Sequence, residues 1–259
     1  MPDSLPQMTS ESVTVNREGD VATVTIDRPG KSNALDAATA AALKEAIETA
    51  SDARVTILTG AGSAFCAGGD LEELQKWSDL DHETISDHLY GSFQGAIRAL
   101  RASDSIVIAA VNGAAVGAGM DIALACDLRV AGHSARFGQV WVGLGVIPGT
   151  GGAFLTQHLA GPTVAAELLL TGEIIDARTA LNARLVNEVT EDENLLDAAL
   201  ALANRILKHP REGVIANKRA YIAATHASVE AALDHAARVQ PERFTSDEFK
   251  AQLSARLNP

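Results

Sequence analysis

Apolar and polar positions alternate through VTVNREGDVATVTIDRP, break at Glu18-Gly19-Asp20, and alternate again, which predicts a β-hairpin. NALDAATAAALKEAIETA follows with helical spacing, and Asp36 stands where an N-cap belongs. RVTILTG reads as a strand closed by glycine. IVIAAVNG is almost wholly apolar, as expected of a strand covered on both faces. GAGMDIALACD has helical spacing and LRVAG returns to strand. From Pro162 the texture becomes helical: PTVAAELLLTG, DARTALNARLV, NLLDAALALANRILKH, REGVIANKRAYIAATH and SVEAALDHAARVQ. Alternating strands and helices make the class α/β. A soft boundary near Val189–Glu193 predicts a core domain over 1–192 and a C-terminal helical region over 193–259.

Composition narrows the possible partners. The net charge of −12 over 259 residues argues against nucleic acid and anionic membrane as partners. No run of apolar residues is long enough to span a bilayer; SIVIAAVNGAAVGAGM is broken by Asn112 and its glycines. MPDSLPQMTSES lacks the charged and apolar regions of a signal peptide, so none is expected. Cys66 and Cys126 lie in apolar runs, which predicts buried free thiols in a reducing cytoplasm. No cysteine or histidine spacing suggests a metal site.

Three glycine-rich segments follow strands: TGAGSAFCAGGDLEEL, VNGAAVGAGMD and GLGVIPGTGGAFLTQHL. Glycine after a strand lets backbone approach a ligand, and the first amides of a following helix are unpaired. Two such turns face to face would hold an oxygen that gains negative charge. Dinucleotide binding is the competing use. Gly60-x-Gly62 follows a strand, but Phe65 stands where the third small residue belongs, and the acid expected roughly 20 positions on at a second strand's end has no clean candidate. No P-loop motif and no G-x-S-x-G elbow occur.

DRPGKSNALD, AGSAFCAGGDLEEL, IAAVNGAAVGAGMDIALACDLRVAGHSARFGQ and GLGVIPGTGG, in this order, resemble the enoyl-CoA hydratase/isomerase, or crotonase, superfamily. LLLTGEIIDARTALNARLVNEV is similar to the segment leading into that family's last helices. The resemblance implies a crotonase-like spiral of β-β-α repeats with a C-terminal helical trimerisation region, hence a homotrimer or homohexamer. It implies an acyl-CoA substrate, coenzyme A being part of the substrate and no separate cofactor being needed. The thioester oxygen would sit between the N–H groups of Gly69 and Ala118, beside Gly117. Coenzyme A would lie against Arg28, Asn33 and Ala34 and against the turn Ala67, Gly68, Asp70 and Leu71. Fixed dipoles of this kind stabilise an enolate, and losing one donor typically costs about 3–4 kcal/mol.

The chain departs from the family's pattern at the proton-handling groups. Typical hydratases of the family carry two glutamates. Here the first position is Asp121, shorter by one C–C bond of roughly 1.5 Å, and the second is Trp141, which neither takes nor gives a proton. Trp141 resembles the chlorobenzoyl-CoA dehalogenase branch, but Gly149 stands where that branch's nucleophilic aspartate would fall. The same Gly149 argues against the dienoyl-CoA isomerase pattern. With one acid left, isomerisation, hydrolysis or C–C cleavage is expected ahead of plain hydration. A genuine hydratase and a catalytically weak acyl-CoA-binding relative are the alternatives; a nicotinamide dehydrogenase is a more distant one. Trp141 is also expected to shape the acyl pocket. His82 or His88 is a candidate replacement for the missing acid. Lys218 is expected at a cap or the surface, and Arg256 as a poor phosphate contact.

Overall fold

The computed structural model describes residues 11–258; the expectation about a leader at residues 1–10 lies outside them. The hairpin forms where the alternation places it. β1 (Val13–Glu18) and β2 (Val21–Ile26) pair antiparallel, with Val13 opposite Ile26. Asp36 caps α1 (Ala37–Thr49), its side chain accepting the Thr39 N–H at 2.7 Å. β3 (Val55–Gly60) and β4 (Ala64–Cys66) lead to α2 (Leu71–Trp77) and α3 (His82–His88). A π turn (Leu89–Phe93) then runs into α4 (Gln94–Ala102). β5 (Ile106–Val111), β6 (Ala114–Val116), α5 (Ala118–Ala125), β7 (Leu128–Gly132) and β8 (Arg136–Gly138) follow. A 3-10 turn (Val140–Leu144) precedes α6 (Gly152–Thr171). β9 (Ile174–Asp176), α7 (Ala177–Asn182) and β10 (Glu188–Thr190) complete the core. α8 (Leu195–Leu207), α9 (Arg211–Phe244) and α10 (Asp247–Leu257) close the chain.

The strands divide into a six-stranded sheet, β1-β2-β3-β5-β7-β10, and a four-stranded sheet, β4-β6-β8-β9. The pairs β3/β4, β5/β6 and β7/β8 each put a long strand into the first sheet and a three-residue strand into the second. Each such pair is one turn of a spiral. Neighbouring turns pair in parallel in both sheets. This is the β-β-α repeat, and the sequence displays it only faintly because the second strand of each pair is too short to show a period.

β3 and β5 are buried along their whole length, as their apolar runs predict. One core layer packs α1, α4 and α5 against the sheets. A second places Leu195, Ala199 and Ala203 of α8 on Ile57, Ile108 and Val130. α8, although beyond residue 192, therefore covers the six-stranded sheet. Two helical expectations are corrected. The helix read from Pro162 begins at Gly152 and kinks at Gly161 (φ 82°, ψ 168°), with Pro162 opening its second half, where its missing N–H is harmless. The two helices read in 211–240 are one, α9, because no glycine or proline separates them. Lys218 is neither capping nor superficial: it is buried, 2.7 Å from the Asp127 carboxylate and 2.7 Å from the Ser105 carbonyl.

No helix among the described residues is long and apolar enough to cross a membrane, and no group of three or more His, Cys, Asp or Glu side chains among them could hold a metal ion. Both cysteines are free and buried, and burial pushes each thiol up to about 12.

Candidate active site

Two of the glycine turns meet. In the first, Leu35 bridges to the strand-like stretch at Gly69. The Leu35 N–H donates to the Gly68 carbonyl at 2.7 Å, and the Asp70 N–H donates to the Leu35 carbonyl at 2.8 Å. In such a parallel bridge the groups on either side of Gly69 are used, so the N–H of Gly69 turns the other way. In the second turn, Gly117 (φ 55°, ψ −125°) takes a conformation that a side chain opposes, and α5 starts at Ala118. The first amides of α5 have no partner within the helix. A Cβ placed on Gly68 would lie 3.5 Å from the Ala118 nitrogen and 2.9 Å from the Val116 carbonyl oxygen. The two turns are therefore in contact.

Residues of both turns line a cleft of about 370 Å³. Ala34, Ala67, Gly68, Gly69, Asp70, Leu71, Gly117 and Trp141 line it, together with Lys31, Ser32, Glu72, Leu74, Val140, Leu144, Arg256 and Leu257. Trp141 is 7% exposed, and the edge of its indole lies 3.4–3.7 Å from where a Gly117 Cβ would be. It walls the cleft beside the second turn, and its indole N–H has no partner.

Four of the expected site residues do not line the cleft. Arg28 is occupied: one guanidinium nitrogen donates to the Ala34 carbonyl at 2.5 Å, and another lies 3.1 Å from Asp36 and 3.2 Å from Asp70. It staples the loop that carries Ala34 to Asp36 and Asp70. Asn33 is buried, donating to the Ala61 and Ala64 carbonyls at 2.9 and 2.7 Å and accepting from the Arg28 N–H at 2.8 Å. Ala118 is buried with only its turn at the cleft. Asp121, one helical turn further along α5, lies behind the cleft wall with 0% exposure.

Asp121 is embedded in hydrogen bonds. Oδ1 accepts from Gln139 Nε2 at 2.8 Å, Oδ2 accepts from Thr150 Oγ1 at 2.5 Å, and the Gly152 N–H at the start of α6 also donates to the carboxylate. Burial outweighs these donors and raises the carboxyl from 3.8 to about 6. A side chain at Gly152 would collide with it, since a Cβ there would stand 1.9 Å from Oδ1.

His82 and His88 do not reach the cleft. His82 pairs with Thr245 at 3.1 Å, and His88 stacks on Trp77 at 5.4 Å. At the other end of the cleft the sequence singles out Arg256 only as a poor phosphate contact and does not single out Lys31. α10 packs on α2 and on the 3-10 turn and delivers Arg256 and Leu257, Arg256 donating to the Gly143 carbonyl at 3.1 Å. Lys31 stands opposite on the loop before α1, paired with Glu72 at 2.7 Å. The Lys-Ser pair in RPGKSNAL was the available signal for Lys31. That Arg256 lines the cleft depends on how α10 folds back, which no local pattern shows.

Residues 16–257 match the family model described as enoyl-CoA hydratase/isomerase. The chain is 37% identical over 256 residues to the short-chain-enoyl-CoA hydratase of Clostridium acetobutylicum, covering 96% of this chain and 95% of that protein. It is 34% identical over 242 residues to the crotonyl-CoA hydratase of Syntrophomonas wolfei, covering 92% and 90%. Among solved structures, an enoyl-CoA hydratase/isomerase from Mycobacterium paratuberculosis superposes with a TM-score of 0.89 at 27% identity, covering 96% of this chain and 99% of that one.

Proposed function

The chain belongs to the enoyl-CoA hydratase/isomerase family, and from that premise we propose that it holds an acyl-CoA thioester between the Gly69 and Ala118 amides and adds or removes water at the adjacent double bond. The observation that carries this reading is the contact of the two turns, with 3.5 Å separating a Gly68 Cβ position from the Ala118 nitrogen. Attack on the double bond pushes charge onto the thioester oxygen. Backbone donors fixed there stabilise charge that appears only during reaction.

The relatives' names favour hydration over the isomerisation, hydrolysis or C–C cleavage suggested by the loss of one acid. Asp121 is the carboxylate left for the proton. A carboxyl near 6 is partly protonated and partly ionised around neutrality, which suits a group that must both take and give. The contact assigned to Arg28 passes to Lys31 and Arg256, the cations that line the cleft, which suit the phosphates of coenzyme A.

Crotonyl-CoA is the test substrate, followed by the decay of its enoyl-thioester absorbance. Hydration by the wild type and its loss in Asp121→Asn, with crotonyl-CoA still bound, are the expected results. One observation favours a second reading, a binder with little turnover: Asp121 is fully buried and Trp141 fills the place of the second acid. Binding of crotonyl-CoA without its consumption would decide for that reading.

A further inference from the structure

We propose that the Thr150 hydroxyl is the port through which Asp121 gains and loses its proton. The inference rests on the reading of Asp121 as the acid–base group of the proposed function. It follows from which partners can reverse. Oδ1 faces Gln139 Nε2 at 2.8 Å, and the Gly152 N–H also points at the carboxylate. Both are N–H groups that only donate, so neither can receive a proton from Asp121. Oδ2 faces Thr150 Oγ1 at 2.5 Å, and a hydroxyl both donates and accepts. Thr150 is therefore the one side-chain partner able to exchange a proton with the carboxyl. The surroundings of the carboxyl, Thr150, Gln139 and Thr156, are buried and carry no charged side chain from the segment 139–152. The carboxyl's shift arises from burial, opposed by the Thr150, Gln139 and Gly152 donors, with no charged neighbour contributing.

In the hydration direction the water oxygen bonds to carbon 3 of the enoyl chain as one water O–H bond breaks. That proton passes to Thr150 Oγ1 while Thr150's own proton passes to Asp121 Oδ2. The relay run in reverse returns one proton to carbon 2 of the enolate. Water is thus added whole and the enzyme ends as it began.

Thr150→Val keeps the shape and removes the hydroxyl; Thr150→Ser keeps the hydroxyl. Crotonyl-CoA hydration is measured for both, and the Asp121 carboxyl is titrated by carbon-13 NMR, with Asp121→Asn identifying its signal. Thr150→Val is expected to lose about 10²-fold or more in kcat with KM little changed, and Thr150→Ser to recover most of it. The Asp121 midpoint is expected to rise by about one pH unit in Thr150→Val and to stay in place in Thr150→Ser. Full turnover in Thr150→Val overturns the inference. If the wild type does not hydrate crotonyl-CoA, the proposed function fails while the titration still decides the port: an Asp121 midpoint unmoved by Thr150→Val overturns it.

Discussion

Burial of Asp121 ties stability to pH. Its carboxyl rises from 3.8 to about 6 in the folded chain, so between those values the folded state holds more protons than the unfolded one. Stability from this group is complete below the lower value and is lost as pH rises through about 6. The loss amounts to at most about 3 kcal/mol. Urea unfolding of wild type and Asp121→Asn, compared from about pH 4 to about pH 7, should show the wild type losing ground to the variant across this window; parallel curves would contradict it. At the same scale, Gly119 lets α5 approach β4: a Cβ there would sit 2.0 Å from the Cys66 carbonyl oxygen. Gly119→Ala should cost about 1–3 kcal/mol or more and weaken acyl-CoA binding, both measurable by thermal shift with and without ligand. The identities at 121 and 141 were legible in the sequence. Their surroundings were not, since the Gln139, Thr150 and Gly152 donors converge on Asp121 only through packing of β8 and α6 against α5.

α5 is held at both ends. Its N-terminus carries the Ala118 amide that the proposed function sets against the thioester oxygen. At its C-terminus the buried Arg129 side chain donates to the Cys126 carbonyl at 2.7 Å and to the Ala123 carbonyl at 3.4 Å, and it ties the helix to Leu185 at 2.7 Å. These charge-assisted bonds complement the negative end of the helix. Arg129→Met should lower stability by about 2 kcal/mol or more and reduce kcat through a misplaced Ala118 amide. An unchanged kcat in a folded Arg129→Met protein would show that the cap does not govern the cleft. The elements themselves were read unevenly. Six-residue strands such as β3 and β5 announce themselves by unbroken apolar runs, and Asp36 by its place before a helix. The four short strands of the second sheet are three residues each, less than two periods of alternation, so only the fold makes them visible.

The helical end packs directly on the spiral. Lys218 of α9 is locked to Asp127 at 2.7 Å, and α8 roofs the six-stranded sheet. Removing one partner strands a buried charge, so Lys218→Met should cost about 3–5 kcal/mol and lower the melting of the entire chain in a single transition. A separate early transition of the last helices would contradict this. Assembly is a further proposal at this scale: a homotrimer or homohexamer, as the family resemblance implies. Leu170 is 76% exposed and Ile174 is 52% exposed, apolar side chains that a neighbouring copy would cover. Light scattering should return the mass of three or six copies; the mass of one would refute it.

Trp141 gives this protein a built-in optical reporter. It is one of only two indoles. The other, Trp77, is sealed among His88, Phe93 and Phe244. Emission that changes when a thioester enters therefore originates at the cleft against a constant background, so affinity can be titrated on unlabelled material, even in variants that turn nothing over.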